Sequence, residues 1–227
     1  MAVKRVALLG HPVSQSRSPQ MQNAAFAAAG LDDWQYVALD VLDVVDAVED
    51  LRAQGFVGAN VTIPHKQAVV AACDEAEGDA VNTLVFRDGR VLGFNTDKEI
   101  VAGIDAKRVC MIGAGGAART LLPGLTGEVV WFSRRENWPP DASGCDLIVN
   151  ATPVRDELLV EPEAGQTVVD LAYGPDETAL VRAAREVGCD VVDGLEALVR
   201  QGAASFTLWT GRPAPVEEMR RAVHLQA

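Results

Sequence analysis

Short runs of β-branched and other apolar residues alternate along the chain with segments whose apolar positions recur every three or four residues. Arg5–Leu9 (RVALL), Tyr36–Leu39 and Val57–Thr62 (VGANVT) read as strands. Pro19–Ala29 reads as an Ala-rich helix, capped by Ser18 and with proline in its first turn. Asp43–Gln54 reads as a helix that gathers Val44, Val48 and Leu51 on one face and stops at Gly55. Pro64 is expected to open a helix carrying Lys66, Val69 and Val70. Thr83–Phe86 and Val91–Phe94 flank Arg87-Asp88-Gly89-Arg90, whose Asp-Gly pair predicts a hairpin. Another helix is expected to start near Asp97.

The second half repeats the alternation. Arg108–Ile112, Val129–Phe132, Asp146–Asn150, Thr167–Leu171 and Val191–Val192 read as strands. Gly115–Leu125 reads as a glycine-led helix, and Thr178–Val187, Leu195–Thr210 and Val216–Val223 as further helices. Between Arg135 and Cys145, Trp138-Pro139-Pro140 cannot continue a helix and predicts a loop. Strands separated by helices imply parallel sheets built from βαβ units. With a composition shift near Lys98–Lys107, the pattern predicts two α/β domains, the second beginning near residue 100.

Composition narrows the function classes. The 227 residues carry 20 Lys+Arg against 32 Asp+Glu, a net charge of −12, and 48% of them are hydrophobic. Those proportions are those of a globular chain with a sizeable core. With no dense basic cluster, nucleic-acid binding is not expected, because that binding rests on phosphate neutralisation. No apolar run approaches the ~18 residues of a membrane span, and the first residues run straight into a strand pattern, so neither a span nor a targeting segment is expected. Cys73, Cys110, Cys145 and Cys189 are far apart and show no metal-ligand spacing. They read as small buried hydrophobes in a reducing, cytoplasmic compartment.

Gly113-Ala114-Gly115-Gly116-Ala117-Ala118 follows an apolar strand and opens a helix. The first glycine suits a tight turn, the second lets backbone approach a pyrophosphate, and the small sixth residue packs helix on sheet. Free N–H groups at the helix start then face the anion. The next strand ends in Ser133-Arg134-Arg135, with guanidiniums where an NAD site usually places a carboxylate. That favours the 2′-phosphate of NADP.

Four further stretches sit where strands end or helices begin. They are Ser16-Arg17-Ser18-Pro19, Asn60-Val61-Thr62-Ile63-Pro64-His65-Lys66, Ala80-Val81-Asn82-Thr83 and Gly93-Phe94-Asn95-Thr96-Asp97. Their hydroxyls and amides suit a small polyhydroxylated acid. Lys66 and Asp97 form a charged pair that can hold and pass a proton at a carbinol or ketone oxygen. Taken singly, each residue also has an ordinary structural use as a cap, turn or solvated group.

On these motifs the chain resembles the shikimate dehydrogenase family over nearly its whole length. Gly10-His11-Pro12-Val13 leading to Ser16-x-Ser18-Pro19, Asn60-Val61-Thr62-x-Pro64-x-Lys66, Ala80-Val81-Asn82-Thr83 and Gly93-x-Asn95-Thr96-Asp97 occur in the family's order. So do Gly113-Ala114-Gly115-Gly116-Ala117, Asn150-Ala151-Thr152, Asp170-x-x-Tyr173 and Gln201-Gly202-Ala203. The resemblance implies an α/β fold with an N-terminal substrate domain, to which the last helices return (1–99 and 196–227). A shortened Rossmann-type dinucleotide-binding domain (100–195) would lie between. It implies reduction of 3-dehydroshikimate to shikimate with NADPH, in chorismate and aromatic amino-acid biosynthesis.

By resemblance, Ser16 and Ser18 would bind the substrate carboxylate with Tyr173. Thr62, Asn82 and Gln201 would contact ring hydroxyls, and Lys66 and Asp97 would be the catalytic pair. Gly113, Gly115, Gly116, Ala117, Ser133, Arg134, Arg135 and Thr152 would hold NADP. No metal is expected, and the chain would be a monomer or homodimer. The sequence departs from the family pattern at Gln15, Asp79, Pro153-Val154-Arg155, Glu196-Ala197 and Ser133-Arg134-Arg135. A quinate/shikimate dehydrogenase using NAD(P) and a non-catalytic sensor of the dinucleotide or acid remain as alternatives.

Overall fold

The computed structural model describes residues 3–224. The chain separates into two compact units, Met1–Asp97 with Val199–Ala227, and Lys98–Leu198.

The first unit is built on a sheet of six strands: β1 (Lys4–Gly10), β2 (Trp34–Asp40), β3 (Gly58–Val61), β4 (Glu75–Ala76), β5 (Thr83–Arg87) and β6 (Arg90–Phe94). Their order is β2-β1-β3-β5-β6-β4. β1 runs parallel to β2 and β3, whereas β5 is antiparallel to both β3 and β6. The sheet is therefore mixed: the expected parallel pairing holds for β1 with β2 and β3, and the expected hairpin sets β5 against β6. The cause is local. Asp88 (φ 53°) and Gly89 (φ 76°) make the two-residue turn that reverses the chain between β5 and β6.

The segment between β3 and β5 also departs from expectation. Only a 3-10 turn forms, at Ala68–Ala72, and Lys66 precedes it. The Lys66 carbonyl accepts the Val81 N–H at 2.9 Å, so it is not available to a helix running through this stretch. The short strand β4, which the sequence pattern does not reveal, follows the turn.

Helix α1 (Ser18–Ala28) has Arg17 at its N-cap and no side-chain cap, so Ser18 is not the cap that the sequence suggests. Helix α2 (Val44–Ala53) is capped by Asp43, which accepts from the N–H groups of Val45 and Asp46. Val44, Val48 and Leu51 pack with Ala7, Leu9, Ala59 and Val61, burial worth about 1.5–3 kcal/mol for each large side chain. Helices α5 (Gly194–Thr210) and α6 (Val216–His224) return to this unit from the far end of the chain. Phe206 stacks on Phe26 at 5.5 Å, and Trp209 Nε1 donates to the Leu84 carbonyl at 2.9 Å. Gly58 permits this approach, since a Cβ there would lie 2.5 Å from the Trp209 indole nitrogen.

The second unit holds a five-stranded sheet of β7 (Arg108–Ile112), β8 (Glu128–Phe132), β9 (Leu147–Asn150), β10 (Thr167–Asp170) and β11 (Asp190–Val192). All its pairings are parallel, in the order β11-β10-β9-β7-β8. The strand order reverses around β7, so its carboxyl end is the position where open α/β sheets bind ligands. Helix α3 covers only Gly116–Leu121 before a 3-10 turn at Leu122–Gly124, shorter than the expected Gly115–Leu125. Pro123 lacks the N–H that would continue it. Between β8 and β9 the chain is a loop that carries a Ser133–Glu136 bridge. The expected helix near Asp97 is a four-residue 3-10 turn, Asp97–Ile100. Helix α4 (Ala179–Glu186) is capped by Thr178. Among the described residues no helix is long and apolar enough to cross a membrane.

Candidate active site

In the first unit the selected residues gather at the carboxyl ends of β1 and β3 and around β5 and β6. After β1, His11 Nδ1 lies 2.5 Å from Asp40, whose other oxygen receives the Val13 N–H at 3.3 Å. The His11 hydrogen bond is the main reason that the Asp40 carboxyl is held below its usual range. The Ser16 N–H donates to Val13, and the Ser16 hydroxyl accepts from the Ser18 N–H at 3.3 Å. Ser18 is buried, Ser16 half-buried, and together they form a small hydroxyl cluster at the head of α1. Thr62 lies against Gly10, where a Cβ would come within 2.3 Å of the Thr62 methyl. Only glycine leaves room for it there.

Lys66 and Asp97 form an ion pair through Nζ and Oδ2, with side chains 13% and 7% exposed. The other Asp97 oxygen accepts from Asn82 Nδ2 at 2.7 Å. Asn82 Nδ2 also reaches Gln201 Oε1 at 3.5 Å, a long contact that a ligand hydroxyl can replace. The Asn95 side chain receives the Asp97 N–H at 3.2 Å and so shapes the turn that presents the carboxylate. The structure thus joins Lys66, Asp97, Asn82 and Gln201 directly. It offers an amine beside an oriented carboxylate, the equipment for proton transfer to a carbonyl oxygen.

In the second unit, Gly113 has φ 109°, and its Cβ would sit 3.1 Å from the Ala151 carbonyl oxygen. A Cβ at Gly115 or Gly116 would instead meet open space, and no side chain caps α3. Ala117 is half-buried, while Ala118 packs the helix against the sheet. The uncapped N–H groups beside an unfilled glycine turn fit an anionic pyrophosphate.

Ser133 exchanges backbone hydrogen bonds with Glu136, folding the segment that carries Arg134 and Arg135. Arg134 bonds Glu157 at 3.3 Å and lies 5.6 Å from the centre of the Trp138 ring. Arg135 is exposed. The two guanidiniums near the end of β8 suit a ribose phosphate. Thr152 donates to Asn150 Oδ1 at 2.6 Å, and Asn150 in turn bonds Asp170. Burial pushes the Asp170 carboxyl up despite its bonds to Thr178, Ala172 and Asn150. Tyr173 lies beyond β10 in this unit, half-buried.

Sequence reasoning misses several contributors. Tyr36 and Ser205 look like ordinary members of a strand and a helix, yet both bond to Asn60. Their signal is a polar group on an otherwise apolar, buried face. Glu157, the Arg134 partner, has no local signal at all. A groove of about 590 Å3, lined in part by Arg52, Phe56, Phe86 and Arg90, contains none of the selected residues. Among the described residues no group of three or more His, Cys, Asp or Glu could hold a metal.

Most of the similar proteins are shikimate dehydrogenases. The family model for the shikimate dehydrogenase substrate binding domain matches residues 8–84, and that for the shikimate 5′-dehydrogenase C-terminal domain matches residues 194–224. A relative named shikimate dehydrogenase (NADP(+)) from Moorella thermoacetica is 39% identical, over 96% of this chain and 92% of its own. A crystal structure of shikimate dehydrogenase in complex with NADP+ superimposes with a TM-score of 0.88 at 32% identity, covering 98% of this chain and 96% of that one. The Thermus thermophilus shikimate 5-dehydrogenase, in complex with NADP(H) and shikimate, gives 0.84 at 32% identity over 97% and 98% of the two chains.

Proposed function

The chain belongs to the shikimate dehydrogenase family, and from that premise we propose how its residues divide the work. It is an NADP-dependent oxidoreductase that interconverts 3-dehydroshikimate and shikimate. When bound, NADPH supplies the hydride, and the protein supplies binding, orientation and a proton.

Lys66 carries or relays the proton at the C3 ketone oxygen, and Asp97 holds the Lys66 ammonium in place. Thr62, Asn82 and Gln201 meet the ring hydroxyls. Ser16 and Ser18, with Tyr173, take the carboxylate through hydroxyl donors. The backbone at Gly113, Gly115, Gly116 and Ala117 holds the pyrophosphate, with Thr152 beside it. Ser133, Arg134 and Arg135 hold the ribose phosphate. In this division 1–99 with 196–227 serves the substrate and 100–195 the dinucleotide. The observation that carries the chemistry is the buried Lys66–Asp97 pair, whose carboxylate is held on its other oxygen by Asn82. An exposed pair would be solvated and poorly oriented; this one is fixed.

We place the protein in the cytoplasm as a monomer or homodimer without a nucleic-acid partner. Four free cysteines support the compartment, and a net charge of −12 the lack of a nucleic-acid partner.

The test follows the absorbance of reduced nicotinamide with shikimate and NADP as the reactant pair, against quinate and NAD as comparators. Turnover should be highest with shikimate and NADP. Faster turnover with quinate would reassign the substrate, and binding without turnover across pH would make the chain a sensor.

A further inference from the structure

Beneath the Lys66–Asp97 pair lies a buried polar network made by Tyr36, Asn60, Asn82, Thr83, Thr96 and Ser205. All six are at most 5% exposed. Two backbone groups fix the direction of every amide in it. The Asn82 carbonyl can only accept, and it lies 3.1 Å from one end of the Asn60 amide, so that end is the NH2. The Asn60 oxygen therefore faces the Tyr36 hydroxyl at 2.8 Å, and Tyr36 must donate to it.

The second constraint is the Thr96 N–H, which can only donate. It lies 2.7 Å from one end of the Asn82 amide, so that end is the oxygen, and the Asn82 NH2 is turned toward Asp97. Between the two amides stand hydroxyls. Asn60 Nδ2 reaches Thr83 Oγ1 at 3.0 Å and Ser205 Oγ at 3.0 Å. The Ser205 hydroxyl donates to the Gln201 carbonyl at 3.0 Å. The Thr83 hydroxyl lies 2.8 Å from Ser205 and 3.0 Å from Thr96, and the hydroxyls of Thr83 and Thr96 both reach the Asn82 oxygen, at 3.3 and 3.1 Å.

We propose that these groups form a one-way chain of donors, from Tyr36 through Asn60, Thr83, Thr96 and Asn82 to the Asp97 carboxylate. In it, Asn60, Thr83 and Thr96 are positioning residues for the Lys66–Asp97 pair. The proposal rests on the function assigned above. Its physical content is directional. Hydrogen bonds aligned head to tail polarise one another, by roughly 10–30% per bond. Each donation upstream makes the Asn82 N–H a better donor to Asp97. The same alignment forbids the flipped Asn82 amide, which would turn an oxygen toward the carboxylate. Ser205 adds a branch, because its proton is spent one turn back on the helix that carries Gln201. The network thus ties a substrate-facing side chain to the groups that orient the proton-transfer pair.

The test uses the full-length protein. Thr96→Val keeps the volume and the backbone N–H but removes the hydroxyl. It should lower kcat by about 5–10-fold, while KM for shikimate and the Kd for NADP from fluorescence titration stay within about twofold. Thr96→Ser should restore kcat to within about twofold of the unaltered protein. Tyr36→Phe, at the far end, should lower kcat in the same direction by a smaller factor, about 2–3-fold.

An NMR readout separates this chain of bonds from the activity itself. The side-chain amide signal of Asn82, identified by its loss in Asn82→Ala, should be protected from exchange and should shift in Tyr36→Phe. Unaltered kcat in both Thr96→Val and Tyr36→Phe would overturn the proposal, as would a Thr96→Ser variant as slow as Thr96→Val. An inactive unaltered protein would refute the assigned function, and the amide signal would then decide the network alone: no shift in Tyr36→Phe would overturn it.

Discussion

Lys66 meets Asp97 as an ion pair whose two side chains are only 13% and 7% exposed. At that burial each partner depends on the other for most of its charge compensation. Removing one leaves the other poorly solvated and without its opposite charge, a loss bounded by the roughly 3–5 kcal/mol of a fully buried pair. Asp97→Asn should therefore lower both kcat and stability to urea. Lys66→Ala should lower kcat by about 10²–10⁴-fold with a much smaller change in KM. Steady-state kinetics beside urea melts will check both, and unchanged turnover in purified Lys66→Ala would remove Lys66 from the chemistry.

Arg134 is held by Glu157 in a pair that is 68% and 59% exposed. Such a pair contributes little to folding, about 0–1 kcal/mol. Arg134→Ala should leave the urea midpoint in place, weaken NADP by about tenfold or more and spare NAD. Glu157→Gln should tighten NADP modestly, because the phosphate no longer competes with a carboxylate for the guanidinium. Titrations with both dinucleotides separate these outcomes, and equal losses for NAD and NADP in Arg134→Ala would deny it the 2′-phosphate.

Gly113 combines a left-handed backbone, φ 109°, with a Cβ position 3.1 Å from the Ala151 oxygen. Gly113→Ala should cost about 1–3 kcal/mol of stability. Displacement of the turn should also weaken NADP while shikimate affinity, measured by calorimetry, holds. A variant as stable as the parent would mean that the turn adapts freely.

Desolvation is the first cause of the upward shift at all four cysteines, with Cys73 pushed to about 11 and Cys110 to about 12. At pH 8 these two are thiolate at roughly one part in 10³ and one in 10⁴, by the distance of the pH from each value. A chromogenic disulfide reagent at pH 8 should leave Cys73 and Cys110 unlabelled in the native protein and label all four thiols after denaturation. Rapid native labelling of Cys110 would contradict its burial.

Much of this architecture is legible because its signals are local. Asp-Gly marks the β5–β6 turn, apolar spacing marks α2, and glycines after an apolar strand mark the turn at Gly113. Two expectations fail, the first through a bond that the local pattern does not show. The Lys66 carbonyl is taken by Val81, which prevents the expected helix, and the cap expected at Ser18 falls to Arg17 without a side-chain bond. Neither outcome is visible in a window of a dozen residues. The site shows the same division. Lys66, Asp97 and Asn82 stand out by chemistry beside strand ends. Tyr36 and Ser205 do not, because a strand aromatic and a helical serine look ordinary until Asn60 is seen between them.

The return of α5 to the first unit sets an order of events during synthesis. Residues up to Asp97 leave the ribosome first, yet Leu84 awaits the Trp209 indole and Asn60 awaits the Ser205 hydroxyl. The second unit, Lys98–Leu198, is made in between and has its own sheet and core. The nascent chain thus completes its middle before its beginning. A chain ended at Leu198 would hold all five strands of the second unit, whereas its first unit would lack the Ser205 bond to Asn60 and the Trp209 bond to Leu84. Asn60 and Leu84 gain these two bonds only once α5 follows the second unit.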